Sequence, residues 1–86
     1  MMRNFAFTPR AFAEFNEWSQ LDPEIYRKIV RLLEDITRQP FTGLGKPEPL
    51  KGQFRGRWSR RITQTDRLVY QLNNEEIVIF SCKDHY

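Results

Sequence analysis

The chain has 86 residues and a net charge of +3, with 40% hydrophobic, 14% aromatic and 29% charged residues. A chain of this length buries about 60–65% of the surface it exposes when unfolded, which suits one modest core and one domain. The composition is that of a globular rather than a disordered chain. No apolar run approaches the roughly 18 residues of a membrane span, and residues 1–8 are too short and too mixed for a signal-peptide core. The single cysteine, Cys82, cannot form an internal disulfide, so the cytoplasm is the default compartment.

Residues 3–7 read as a first strand, with Phe5 and Phe7 alternating against Asn4 and Ala6. Thr8-Pro9 is a helix start, a hydroxyl at N-cap followed by proline at N1. Ala11, Phe12, Phe15 and Trp18 then fall on one helical face. Leu21-Asp22-Pro23 ends that helix and starts another by the same device. Ile25, Ile29, Leu32, Leu33 and Ile36 form the apolar stripe of this second helix, making a helical hairpin. Residues 39–45 are a connector punctuated by Pro40, Gly43 and Gly45. Pro47 and Pro49 hold Glu48 extended, because a residue before proline avoids the α region.

Three strands follow. Residues 57–63 alternate Trp58, Arg60, Ile62 against Arg57, Ser59, Arg61, Thr63. Residues 67–72 alternate Leu68, Tyr70, Leu72 against Arg67, Val69, Gln71. Residues 77–82 are nearly all apolar, as in a central strand. Asn73-Asn74 supplies a hairpin turn through the tolerance of asparagine for positive φ. The predicted order is β–α–α–β–β–β: an α+β fold with a small antiparallel sheet packed against a helical hairpin, residues 1–86 forming one domain.

Charge is distributed unevenly. Residues 1–41 are neutral, residues 42–71 carry seven Lys/Arg against two Asp/Glu, and residues 72–86 carry one against three. Five arginines fall between positions 55 and 67. A local excess of +5 in a strand region points to a polyanion partner; the alternative is a solvated, arginine-rich strand face.

One His and one Cys without clustered carboxylates make no recognisable zinc set, and no P-loop or Rossmann glycine pattern is present. No metal or cofactor is therefore expected. Ser59, Asp84 and His85 lack a nucleophile-elbow context, which argues against a serine triad. Taken singly, His85 reads as a tail residue, Glu48 as a surface carboxylate, and Arg61 and Arg67 as partners for helix acids. Together they say more. The alternation lets adjacent strands place the Arg61 and Arg67 guanidiniums side by side, a fork suited to phosphate oxygens. With Glu48 and His85 flanking that pair, the site holds a base, an acid and a charge clamp. RNA carries its own nucleophile in the 2′-OH, so metal-free cleavage needs only those parts.

The blocks Pro40-Phe41, Gly45-Lys46-Pro47-Glu48-Pro49-Leu50-Lys51, Trp58-Ser59-Arg60-Arg61-Ile62-Thr63, Arg67-Leu68-Val69-Tyr70 and His85-Tyr86 occur in order through the C-terminal half. In them the chain resembles the YoeB branch of the RelE superfamily of bacterial toxin ribonucleases. The helical half matches in length and pattern rather than by motif. The resemblance implies a microbial-RNase-like domain cutting mRNA in the ribosomal A site and so inhibiting translation. It also implies a cognate YefM-like antitoxin, with which the toxin forms a complex that binds operator DNA; it leaves a homodimer open. Carried over by motif position, Glu48 is the general base on the 2′-OH, His85 the general acid for the 5′-oxygen, and Arg67 the stabiliser of the phosphorane, supported by Arg61. Lys51 and Tyr86 position RNA. The chain departs from the pattern at Lys83-Asp84, where relatives more often carry arginine and an aromatic; weaker base stacking beside the cut is the expected consequence.

Two other classes compete. A catalytically inactive RNA- or ribosome-binding module needs the arginines but neither Glu48 nor His85. A DNA-binding regulator acting only with its partner is the other; the lack of a helix-turn-helix signature argues against direct operator reading by this chain.

Overall fold

The structure, a computed structural model, describes residues 3–84. The elements in chain order are β1 (Asn4–Phe7), α1 (Pro9–Leu21), α2 (Pro23–Arg38), β2 (Glu48–Pro49), a 3₁₀ turn (Gly52–Phe54), β3 (Trp58–Arg61), β4 (Arg67–Leu72) and β5 (Glu76–Ser81). Both helix starts are the predicted ones. The Thr8 hydroxyl accepts from the Ala11 N–H, and Asp22 Oδ1 accepts from the N–H groups of Glu24 and Ile25. Each cap satisfies donors that the first helical turn leaves orphaned.

The strands form one five-stranded sheet in the order β1-β5-β4-β3-β2. The β2–β3, β3–β4 and β4–β5 pairs are antiparallel, as expected, but β1 runs parallel to β5. The sheet is therefore mixed rather than antiparallel throughout. Short connections force neighbouring strands to run antiparallel, and β3, β4 and β5 are joined that way. By contrast β1 meets β5 across most of the chain, so no hairpin dictates its direction. The β4–β5 turn is also made differently from the prediction. No asparagine takes a positive φ; instead Asn73 Oδ1 accepts from the N–H groups of Glu75 and Glu76, and the Asn73 N–H donates to the Glu76 carbonyl. The side chain closes the turn by mimicking a backbone acceptor.

One face of the sheet packs on the helices. Ile62, Leu68, Tyr70, Ile77 and Ile79 meet Ala11, Trp18, Ile29, Leu32, Leu33 and Ile36 in one buried cluster. The α2 stripe is as predicted. On α1, Phe12 is 60% exposed. The buried line there runs through Ala11, half-buried Phe15 and Trp18, and Phe12, one residue on from Ala11, is turned off it.

Arg60 is 0% exposed and lies on the core face. It donates to Asp35 Oδ2 at 2.6 Å and to the carbonyls of Gln39, Thr42 and Leu44, with Tyr70 Oη 3.2 Å from its Nε. Asp35 also accepts from the Gln39 side chain and the Leu44 N–H. This buried pair ties α2, the 39–45 connector and β3 together. It is a structural ion pair, so one of the five clustered arginines is unavailable to any partner.

Candidate nucleic-acid interface

Because Arg60 points to the core, its strand neighbours Ser59 and Arg61 point to the opposite face, where Arg61 is exposed and Ser59 is buried. The register aligns Arg61 with Arg67 and Ser59 with Val69 on β4, and Glu48 with Ser59 on β2. Arg61 and Arg67 are thus direct cross-strand partners, with Cβ atoms of such pairs about 4.5–5.5 Å apart. Glu48 is the diagonal neighbour of Arg61 on the same face, a separation of roughly 7–8 Å in ordinary sheets. Three predicted site residues are brought together by pleat and register alone.

Their side chains are held differently. Arg67 Nη1 donates to the carbonyls of Thr63 (2.9 Å), Asp66 (3.1 Å) and Gln64 (3.3 Å), which anchors the guanidinium over the β3–β4 turn. Among the described residues Arg61 and Glu48 have no hydrogen-bond or ion-pair partner, and both are exposed. Neither Arg61 nor Arg67 pairs with a helix acid; of the clustered arginines it is Arg60 that does so, with Asp35. A cleft of about 390 Å³ lies beside the pair, lined by Lys28, Arg61, Ile62, Thr63, Gln64 and Arg67. Three cations and no carboxylate line it. Lys28 comes from α2 and is fixed by donation to the Ile62 carbonyl. Sequence reasoning missed it, since its helix was read only for its apolar stripe; a lysine immediately preceding the buried Ile29 was the available signal.

Lys51 sits elsewhere. It leads into the 3₁₀ turn between β2 and β3, where the Leu50 N–H donates to the Arg57 carbonyl. The Arg61–Arg67 pair lies toward the opposite end of β3. Lys51 is therefore not part of the arginine cradle, although the open face connects them.

His85 and Tyr86 lie outside the described residues, but the chain leading to them is held at successive positions. The Cys82 carbonyl accepts from Trp18 Nε1 at 2.8 Å, and its N–H donates to Glu14 Oε1 at 2.8 Å. Lys83 pairs with Glu17. The Asp84 N–H donates to Asp66 Oδ1 at 2.7 Å, while the Arg67 N–H donates to the Asp84 carbonyl at 3.2 Å. Asp84 has φ +64°, a left-handed conformation that Asp adopts more readily than most residues. The residue preceding His85 is thus docked on the backbone of Arg67.

Asp66 is the centre of that clamp. Burial alone would raise its pKa, but hydrogen bonds from the Thr63 hydroxyl, the Asp84 N–H and the Thr65 hydroxyl outweigh it, and the pKa is lowered. The Cys82 thiol is pushed up to about 12, first by burial and then by the nearby Glu14 and Asp66 charges. It is protonated and packed, not a nucleophile.

The profile described as "YoeB-like toxin of bacterial type II toxin-antitoxin system" matches residues 7–86. The chain belongs to this family of toxins. Toxin YoeB of Streptomyces coelicolor is 45% identical over 80 residues, covering 93% of this chain and 95% of that protein. The YoeB dimer from Staphylococcus aureus superposes with a TM-score of 0.93 at 41% identity, all of both chains being covered. The heterotetrameric YoeB-YefM toxin-antitoxin complex from the same organism gives 0.90 at 41% identity, again over both whole chains. The YoeB-like fold is therefore the α+β arrangement described above, and the chain is a toxin of a type II toxin-antitoxin system.

Proposed function

We propose that this YoeB-like toxin is a metal-independent endoribonuclease that cuts mRNA in the ribosomal A site. The observation that carries the reading is the alignment of Arg61 with Arg67, with Glu48 on the same open face. In the proposed reaction Glu48 takes the proton from a 2′-OH, whose oxygen attacks the adjacent phosphorus. Arg67, supported by Arg61, stabilises the charge that grows on the pentavalent phosphorane, the point where preorganised donors contribute most. The P–O5′ bond then breaks and His85 donates a proton to the leaving oxygen. The docking of Asp84 on Arg67 supports this role, because it leaves His85 one residue from the cradle. Lys51 and Tyr86 hold flanking RNA.

The products distinguish this chemistry from alternatives. Ribosome-programmed mRNA should yield a 2′,3′-cyclic phosphate (or its hydrolysed form) and a 5′-hydroxyl, with no response to selective zinc chelation. A 5′-phosphate would mean that water or a metal hydroxide was the nucleophile. Ribosome binding without cleavage would favour the inactive binding module.

A YefM-like antitoxin is the proposed inhibitor. The cradle is rich in uncompensated positive charge, and a carboxylate-bearing segment laid across Arg61 and Arg67 would neutralise it. The resulting complex is the proposed operator-binding form.

A further inference from the structure

The face away from the helices holds a third arginine, one that the proposed chemistry does not use. Arg57 lies two residues before Ser59 on the same side of the strand, at the end where Lys51 sits. Its guanidinium carbon is 3.8 Å from the centroid of the Phe80 ring and 5.2 Å from that of Phe54. Arg57, Phe54 and Phe80 line a cavity of about 420 Å³ with Thr8, Arg10, Val69 and Ser81. Val69, one of these, is only 3% exposed although it lies on the face away from the helices. The guanidinium of Arg57 has no hydrogen-bond or ion-pair partner among the described residues, and no buried side-chain polar atom is left unsatisfied there. Its position is therefore set against the two rings, while its N–H groups have no protein partner among the described residues.

We propose that Arg57, held by Phe80, forms a recognition subsite for an RNA nucleotide flanking the cut, binding a bidentate acceptor through its open edge. This rests on the ribonuclease reading for its substrate class. A planar fork prefixed by stacking loses little freedom on binding and matches two acceptors side by side. Two groups on RNA offer that chemistry: the O6/N7 edge of guanine and a phosphate. The spacing suits either. Arg57 and Arg61 are four positions apart along extended strand, about 13 Å at roughly 3.3 Å per residue, the reach of one or two nucleotides.

The test uses binding of 2′-O-methyl RNA oligonucleotides, which lack the nucleophile, so that binding is read apart from cleavage. Arg57→Ala and the charge-preserving Arg57→Lys are compared with the unaltered chain, with thermal unfolding as the folding control. Both variants should bind about 10–100-fold more weakly, Lys failing because it lacks the fork. Loss confined to oligonucleotides with guanine at one position assigns the guanine edge. Equal loss for all four bases, with the salt dependence reduced by about one phosphate's worth, assigns a phosphate. Undiminished binding by folded Arg57→Ala, or no RNA binding by the unaltered chain, overturns the subsite. Binding without cleavage on ribosomes would instead overturn the ribonuclease reading alone.

Discussion

Arg61 on β3 and Arg67 on β4 are direct cross-strand partners, two guanidinium-bearing residues set opposite each other. Like charges in that position are destabilising, and only Arg67 is relieved, by carbonyls of its own turn. An anion placed between them would relieve both. Arg61→Ala should therefore leave thermal stability unchanged or slightly higher, by up to about 1 kcal/mol, while lowering RNA cleavage. Arg67→Ala should lower cleavage by about 10²–10³-fold, the scale for losing one transition-state donor. A clear fall in melting temperature for Arg61→Ala would mean that the pair is structural.

Removing His85 and Tyr86 should cost little stability, since the clamp on residues 82–84 uses none of their atoms. Deletion of the two residues, or His85→Gln, should stay within about 1 kcal/mol of the full chain and reduce cleavage by about 10²-fold or more. Equal stability with equal toxicity would remove His85 from the mechanism.

Asp66 offers a separate handle on the same tail. Asp66→Ala removes the acceptor for the Asp84 N–H and for two threonine hydroxyls. A loss of about 1–3 kcal/mol is expected for orphaned partners, together with reduced cleavage although every proposed catalytic group remains. The diagnostic is a truncated Asp66→Ala chain ending at Asp84. If tail placement is what the clamp supplies, Asp66→Ala should lower cleavage much less in the truncated chain than in the full one.

How far the sequence could be read follows from which interactions were local. Helix caps at Thr8 and Asp22 and the strand alternation around Arg60 depend on neighbours in the chain, and these were legible. So was the alternation that put Arg61 and Arg67 on strand faces able to meet. The direction of β1 was not, because it depends on a partner some seventy positions away. Nor was the burial of Arg60: the alternation puts it on the face of Trp58 and Ile62, but the partner that lets a guanidinium be buried there is the distant Asp35. Lys28 was hidden for the same reason, being a helix residue made relevant by the β3–β4 turn it reaches.

The Arg60–Asp35 pair makes the most direct stability prediction. Hydrogen bonding from the Gln39 side chain holds the Asp35 carboxyl well below the usual carboxylate range, aided by the Leu44 N–H and by Arg60, against the opposing effect of burial. A carboxylate with a depressed folded pKa adds stability above its unfolded pKa of about 3.9. That stability is lost as pH falls below this value toward the folded pKa. Stability should therefore decline between about pH 5 and the acid limit, and Asp35→Asn should flatten that decline. Asp35→Ala leaves Arg60 buried and uncompensated, which should cost about 3–5 kcal/mol. Replacing both, as Asp35→Leu with Arg60→Met, should recover much of the loss, since an apolar pair of similar volume is often neutral. Chemical denaturation of the two single variants and the double variant at pH 7 decides it. If the double variant is no more stable than the singles, the carbonyls of Gln39, Thr42 and Leu44 that Arg60 satisfies are what hold the connector, rather than the ion pair.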